Sequence, residues 1–381
     1  MRTWTGRHTG PVLILLSALT ACGTAAGPSR SSSPVASRAT TPAPAPTVIT
    51  VPTSLNPPSA RYGAALGFDP VSNRLLLFGG SPQSHAAHPQ DRLADTWAWD
   101  GHTWTHLSPA HSPPSLYGAR LTLDPTSRHL LLLSGAGQTD SSGAVQQQGM
   151  WSWDGSDWTR VADNPLQIPF AEVASDPSRG MVVLSGGDAG YPSACSVGAD
   201  CPFVTGIDVN GAHVWDGSRW TNAAGSTPSD QVPYTSRGGT AYDPITHRVI
   251  SYGGFEQNDV QETFAWDGVQ WAVVGKPALG RPFPDPAWPG STAAAATDPV
   301  TASILMVAHS TGAPNLAVSP ATWRFDGHNW MPVRGAVTPT LVDESIVADA
   351  AVGGLILVGV TEDGSALAMY RWTAGTWQAI P

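Results

Sequence analysis

Trp97-Ala98-Trp99-Asp100-Gly101-His102-Thr103-Trp104 is the stretch on which the fold turns, because the chain repeats it. It returns as Trp151-Ser152-Trp153-Asp154-Gly155-Ser156-Asp157-Trp158 and as His213-Val214-Trp215-Asp216-Gly217-Ser218-Arg219-Trp220. Two further copies read Phe264-Ala265-Trp266-Asp267-Gly268-Val269-Gln270-Trp271 and Trp323-Arg324-Phe325-Asp326-Gly327-His328-Asn329-Trp330. The sixth is degenerate: Tyr370-Arg371-Trp372-Thr373-Ala374-Gly375-Thr376-Trp377. Of the 16 Trp in the chain, only Trp4 and Trp288 lie outside these copies. Asp-Gly between alternating apolar residues predicts a tight hairpin, since both residues tolerate positive φ. Period-two spacing puts the flanking aromatics on one face of the sheet.

A second hairpin precedes each aromatic one. Its turn is Asp69-Pro70, Asp124-Pro125, Asp176-Pro177, Asp243-Pro244 and Asp298-Pro299, with Asp349-Ala350 in the sixth unit. Pro presets φ and Asp caps the turn through its side chain. The strand that follows is apolar without alternation, as in residues 75–78, 130–133, 181–184, 304–307 and 355–358. Such runs belong to strands covered on both faces. Three of them end in Gly-Gly, at 79–80, 186–187 and 253–254. Four strands per unit in six units predict an all-β fold, a six-bladed β-propeller of four-stranded antiparallel blades, in which radial stacking covers both faces of every sheet.

The pattern resembles kelch-like, galactose oxidase-type propellers, whose repeats join an apolar strand ending in Gly-Gly to an aromatic strand and a Trp. The resemblance spans residues 55–381. It departs from kelch in the short Asp-Gly turn and in losing the double Gly in units two, five and six. Galactose oxidase holds copper through Tyr and His. No residue here matches those ligands one for one, so no cofactor and no metal are expected.

The remaining chain sets the context. Arg2 and Arg7, the apolar stretch 11–19 and then Leu19-Thr20-Ala21-Cys22 resemble a bacterial lipoprotein signal peptide with its lipobox. The resemblance implies a cleaved signal peptide over residues 1–21, lipidation (palmitate included) on Cys22, and a protein anchored to the cell membrane on its extracytoplasmic side. Residues 22–47, rich in Ser, Thr, Ala and Pro, read as a disordered tether. The propeller then takes 48–381, and residues 48–60 are candidates for an extra closing strand. Cys195 and Cys201 remain, six positions apart in one loop. In an oxidising compartment a disulfide is the first reading, and a metal site the alternative. The net charge of −10 excludes nucleic acid as the main partner.

Propeller connectivity puts the Asp-Pro and Asp-Gly turns at one end. The longer segments 81–94, 136–149, 188–211 and 275–290 then lie at the other, which is the expected binding face. Trp288, in the Pro-rich connection 281–289, either stacks on a ligand or covers a blade edge. Counting back from each turn Asp aligns the first strands. Arg120 and Glu172 both fall four residues before it, giving either an ion pair across the channel or a polar ligand site. The same count puts Arg61, Tyr62, Tyr117, Phe170, Arg237 and Glu344 near the channel mouth. His85 and His88 share a loop with Asp91 and Asp95, a weak metal pattern. No nucleophile elbow, H-E-x-x-H or phosphate loop appears. The sequence therefore points to a membrane-anchored binding module that presents its loop face to a protein or glycan partner. The alternative is an extracytoplasmic enzyme, hydrolase or oxidase, acting on carbohydrate through carboxylates such as Glu172 or Glu344.

Overall fold

The computed structural model describes residues 57–84, 89–133, 135, 149–163, 169–187, 212–223, 238–253, 262–275, 292–309 and 321–381. They form six four-stranded antiparallel sheets, each built from one continuous stretch of chain. Blade 1 holds β1 (Ala65–Asp69), β2 (Arg74–Phe78), β3 (Thr96–Trp99) and β4 (Trp104–Leu107). Blade 2 holds β5 (Arg120–Leu123), β6 (Leu130–Leu133), β7 (Gly149–Trp153) and β8 (Trp158–Asp163). Blade 3 holds β9 (Glu172–Asp176), β10 (Met181–Ser185), β11 (His213–Trp215) and β12 (Trp220–Asn222). Blade 4 holds β13 (Gly239–Asp243), β14 (Arg248–Tyr252), β15 (Thr263–Trp266) and β16 (Trp271–Gly275). Blade 5 holds β17 (Thr292–Asp298), β18 (Ser303–His309), β19 (Ala321–Phe325) and β20 (Trp330–Pro332). Blade 6 holds β21 (Leu341–Asp349), β22 (Gly354–Thr361), β23 (Leu367–Thr373) and β24 (Thr376–Ile380). Successive first strands are neighbours and β21 meets β1, so the ring is closed.

Both predicted turns form, each with a division of labour. In the first hairpin the Asp is buried, from 0% exposed at Asp69 to 3% at Asp124. Asp69 accepts from the backbone N–H of Val71 (2.9 Å) and Ser72 (3.2 Å), Asp124, Asp243, Asp298 and Asp349 likewise accept from backbone N–H groups of their turns, and Asp176 accepts from the Ser178 hydroxyl and the Arg179 guanidinium. In the aromatic hairpin Asp100 Oδ1 accepts from the N–H of His102 and Thr103 at 2.9 and 2.8 Å. The Gly alone takes the positive φ, +99° at Gly101 and +102° at Gly268, so the Asp acts through its carboxylate rather than its backbone. The degenerate sixth turn puts both Ala374 and Gly375 at positive φ.

Among the described residues six apolar clusters fill the seams, one between each pair of neighbouring blades, and a small seventh of Tyr117 and Phe170 lies apart from them. Leu76, Phe78 and Ala98 of blade 1 meet Leu130, Trp153 and Trp158 of blade 2. The ring closes in the same way, with Leu75, Leu77, Trp99 and Trp104 against Ile356, Val358 and Met369. In every seam the aromatic pair of one blade packs on the preceding blade around the ring, blade 6 preceding blade 1. The pair sits across the hairpin, as in Trp153 and Trp158, whose centroids are 5.1 Å apart. Burying one such aromatic removes ~150–250 Å² from water, worth about 4–6 kcal/mol before entropy is counted. Seam burial therefore dominates, and any single seam hydrogen bond adjusts it by about 1 kcal/mol.

Those hydrogen bonds follow a rule. The Trp that opens the fourth strand donates from Nε1 to the residue three before the aromatic that ends the third strand of the preceding blade. Trp158 donates to Thr96 Oγ1 at 3.0 Å, Trp330 to Thr263 at 3.2 Å and Trp377 to Thr322 at 3.0 Å. Trp104 reaches Met369 Sδ, in the same position of blade 6, at 3.2 Å. Blades 2 and 3 carry Met150 and Ala212 there, and Nε1 of Trp220 and Trp271 has no acceptor among the described residues. Thr96→Val keeps the shape but strands the indole N–H, so it is expected to cost about 1–3 kcal/mol of unfolding free energy. Ala212→Thr is expected to shift stability the other way by supplying Trp271 with an acceptor. Chemical denaturation of both variants checks the rule, and an unchanged midpoint for Thr96→Val rejects it.

Candidate functional site

The six first strands surround a channel that widens into a cavity of about 360 Å³. Small residues make the room: β17 contributes Ala293, Ala294, Ala295 and Ala296, and β1 contributes Gly67. The charged groups on its lining are Arg120, Glu172 and Glu344, with Thr240, Tyr242 and Ser345 among the polar ones. Arg120 and Glu172 open β5 and β9, each four residues before the turn Asp, as the count predicts.

Glu344 reaches the cavity by a different route. The β21–β22 pairing slips between Val342 and Ser345, a bulge that accommodates Asp343 and Glu344. Bulges re-aim side chains in this way. Asp343 stands at φ +55°, and its carboxylate accepts from the Gly63 N–H of blade 1. Gly359 lies beneath the bulge, where an added Cβ would sit 3.0 Å from Leu341 Cβ and 3.2 Å from Glu344 Cα. A side chain there would press on both, so glycine suits this close approach of the strands.

Glu172 is 3% exposed and ties blade 3 to blade 4. Its Oε1 accepts from the Gly238 N–H at 2.6 Å, and its Oε2 accepts from the Thr240 hydroxyl. Burial pushes its pKa up to about 7, against the Arg120 charge and those two hydrogen bonds, which pull it down. Arg120 places Cζ 5.5 Å from the centre of the Phe170 ring, within cation–π range.

Aromatic residues and a backbone collar form the end of the channel away from the tight turns. Tyr117 and Phe170 are buried edge-to-face at 5.2 Å, with Tyr62 packed against them. The Tyr117 hydroxyl donates to the Ser84 carbonyl at 2.9 Å. Gly63, Gly118, Phe170 and Asp343 all take φ between +55° and +69° at equivalent positions of blades 1, 2, 3 and 6. Gly118 N–H donates to the Gly63 carbonyl (2.8 Å), and Phe170 N–H to the Gly118 carbonyl (2.7 Å). A Phe in this conformation is strained, and its burial offsets the strain.

Of the candidates read from sequence, the structure brings Arg120, Glu172 and Glu344 to one cavity and Tyr62, Tyr117 and Phe170 to its rim. Arg61, read from sequence as a binding residue near the channel mouth, makes contacts within blade 1. It is 3% exposed and committed to Asp95 Oδ1 at 2.7 Å and the Gly79 carbonyl at 3.2 Å, so it fastens a loop. Asp95 also accepts from Trp97 Nε1 at 2.7 Å, so each of its oxygens has a partner among the described residues. Arg237, Trp288, His85, His88, Cys22, Cys195, Cys201 and residues 48–53 lie outside the described residues. Among the described residues no group of three metal-ligating side chains occurs. Sequence reading missed Thr240 and Tyr242, which the same count finds three and one positions before Asp243. The Tyr242 hydroxyl lies 2.9 Å from His247 Nδ1.

No family model matches this sequence, and a search of curated proteins returns no match. Among solved structures, an alpha-L-arabinanase of Penicillium chrysogenum complexed with arabinobiose aligns at 12% identity and a TM-score of 0.49, covering 84% of this chain and 96% of that one. No family model supports the kelch resemblance, and the six-bladed architecture rests on the sheets and seams described above.

Glu172 makes stability depend on pH. Its carboxyl loses its proton near 4.5 when unfolded and near 7 when folded. Between those values the native state holds the extra proton, so its stabilising effect is complete below about 4.5 and is lost as pH rises through 7. The expected fall is roughly 3 kcal/mol. Glu172→Gln, which keeps an acceptor for Gly238, is expected to flatten that part of the profile. Equal slopes for wild type and variant in urea titrations across this range would contradict the assignment.

Proposed function

We propose that this chain is a binding module of the cell envelope, lipid-anchored at Cys22 on the extracytoplasmic side. In this reading the 22–47 tether carries the propeller to a glycan partner, with the central cavity as the seat. The supporting observation is the cavity itself: about 360 Å³, lined by Arg120, Glu172, Glu344 and hydroxyl groups. Its volume falls within the ~300–1,000 Å³ of small-ligand sites. A rigid ring bearing convergent donors and acceptors suits a polyhydroxylated ligand. A protein partner held by the loop end is the variant of this reading that would leave the cavity unused.

Two experiments test it. Glu344→Ala in the full chain is expected to weaken binding to envelope polysaccharide by about tenfold or more, equivalent to ~1.4 kcal/mol, in a pull-down or calorimetric titration. Undiminished binding would move the seat out of the cavity. Cys22→Ala is expected to release the protein from the membrane fraction into the soluble extracytoplasmic fraction. Retention on the membrane would rule out the lipid anchor.

One observation favours the hydrolase reading. Glu172 and Glu344 line the same cavity, and Glu172 carries the raised pKa, about 7, that a general acid needs. Against it, both Glu172 oxygens are occupied by Gly238 and Thr240. Release of nitrophenol from aryl glycosides by the wild type, abolished by Glu172→Gln, would establish hydrolysis in place of simple binding.

A further inference from the structure

The cavity changes in polarity along the channel. Its charged lining residues stand at the loop end, away from the tight turns: Arg120 and Glu172 lie four residues before the turn Asp of their blades, and Glu344 five. Nearer the turns the lining is made of residues 66–68, 121–123, 173–175, 240–242, 295–297 and 346–348. All of these lie within β1, β5, β9, β13, β17 and β21, and no Asp, Glu, Lys, Arg or His occurs among them. Three of their hydroxyl groups are engaged within the protein. Thr240 donates to Glu172, Thr297 donates to the Tyr242 carbonyl, and the Tyr242 hydroxyl meets His247. The apolar members are left partly open. Phe68, Leu121, Leu123 and Val347 are half-buried, whereas Leu130 to Leu133 on the adjacent strand are at most 2% exposed. Seam packing thus covers the second strands and leaves apolar surface of the first strands facing the cavity. Removing such surface from water is favourable.

We propose that the cavity takes a glycan bearing an apolar chain, as in a glycolipid, with the chain among Phe68, Leu121, Leu123 and Val347 and the sugar at the end marked by Arg120 and Glu344. The inference rests on the reading of the cavity as a glycan seat and narrows it to alkyl- or acyl-substituted sugars. The orientation follows from the division of the lining. Sugar hydroxyls keep polar surroundings beside Arg120, Glu344 and Ser345, and a chain buried near the turns covers no charged group. A volume of about 360 Å³ holds a small molecule and excludes a folded partner segment. No covalent bond is made or broken. A sugar without a chain gains only the contacts at the loop end and leaves the half-buried leucines as they are.

Calorimetric titration of the full chain with methyl, butyl and hexyl β-glucosides, and with hexanol, separates the chain from the sugar. Each added methylene is expected to tighten binding about threefold, and the binding heat capacity to become more negative along the series. Hexanol, which has the chain without the sugar, is expected to bind about tenfold or more weakly than hexyl glucoside. Leu123→Thr and the shape-conserving Val347→Thr are expected to reduce the gain per methylene, with thermal melting showing that each variant is folded. Glu344→Gln is expected to weaken the methyl and hexyl glucosides by the same factor, because it acts at the sugar end. If methyl and hexyl glucosides bind equally, or if both threonine variants keep the full gain, the apolar seat is overturned while the glycan reading stands. If hexanol binds as tightly as hexyl glucoside, or if no glucoside binds, the glycan reading falls and the proposal with it.

Discussion

Each blade is a thin sheet with two apolar faces, and only another blade can cover them. That constraint governs the rest of the molecule. A stack of such sheets leaves two faces exposed at its ends unless it curves until the ends meet. Among the described residues the ring closes through side chains and not a shared strand, since each sheet is drawn from one continuous stretch, β21–β24 share no ladder with β1–β4, and Asp343 accepts from the Gly63 N–H across the closing seam. Leu75, Leu77 and Trp104 must therefore find in Ile356, Val358 and Met369 the partner that other blades find in sequence neighbours. The tight turns serve the same end. A buried Asp and a positive-φ Gly hold each aromatic pair in place, and the pair fills the seam.

This is why so much of the fold was legible in the sequence. Seam packing needs the same residue types at the same places six times over, and a period survives variation in loop length. Asp69 and its relatives gave a common origin for counting, and Arg120 and Glu172 fell where the count put them. The candidate site was less legible because its contents are not periodic. Glu344 reaches the cavity through a bulge in β21, which depends on Gly359 of the facing strand as much as on local sequence. Arg61 counted correctly to the mouth, but its partner Asp95 lies 34 positions away, and nothing in either residue's neighbourhood announces the pair. The Asp-Gly turn illustrates a smaller miss, in which the right residues act by a different mechanism, the Asp through its carboxylate and only the Gly through its backbone.

The channel presents the opposite problem from the seams. Its walls combine the small residues Gly67 and Ala293 to Ala296 with apolar side chains such as Leu66, Phe68, Leu121 and Ile346, and polar groups that point inward, such as Glu172 and Glu344, lose much of their contact with water. Glu172 meets that loss in two ways. Its two hydrogen bonds from Gly238 and Thr240 stabilise the ionised form, while burial favours the proton. Burial prevails because two neutral donors and a guanidinium do not replace a full hydration shell.

The seams are also unequal, and the inequality bears on the site. Four of them carry an indole hydrogen bond at the fourth strand. The two flanking blade 3 show none among the described residues: Ala212 carries no acceptor for Trp271, and Met150 makes no bond to Trp220, although Met369 at the same position of blade 6 accepts from Trp104. Both seams are tied instead at the inner edge. Phe170 N–H donates to the Gly118 carbonyl across one seam, and Glu172 spans the other to Gly238 and Thr240. Blade 3 is thus held from the channel side, by the residues that line the cavity and its rim. A change of charge at Glu172 acts directly on the one seam where an ionisable group replaces the indole bond, so occupancy of the channel and attachment of blade 3 to blade 4 share a single carboxyl group.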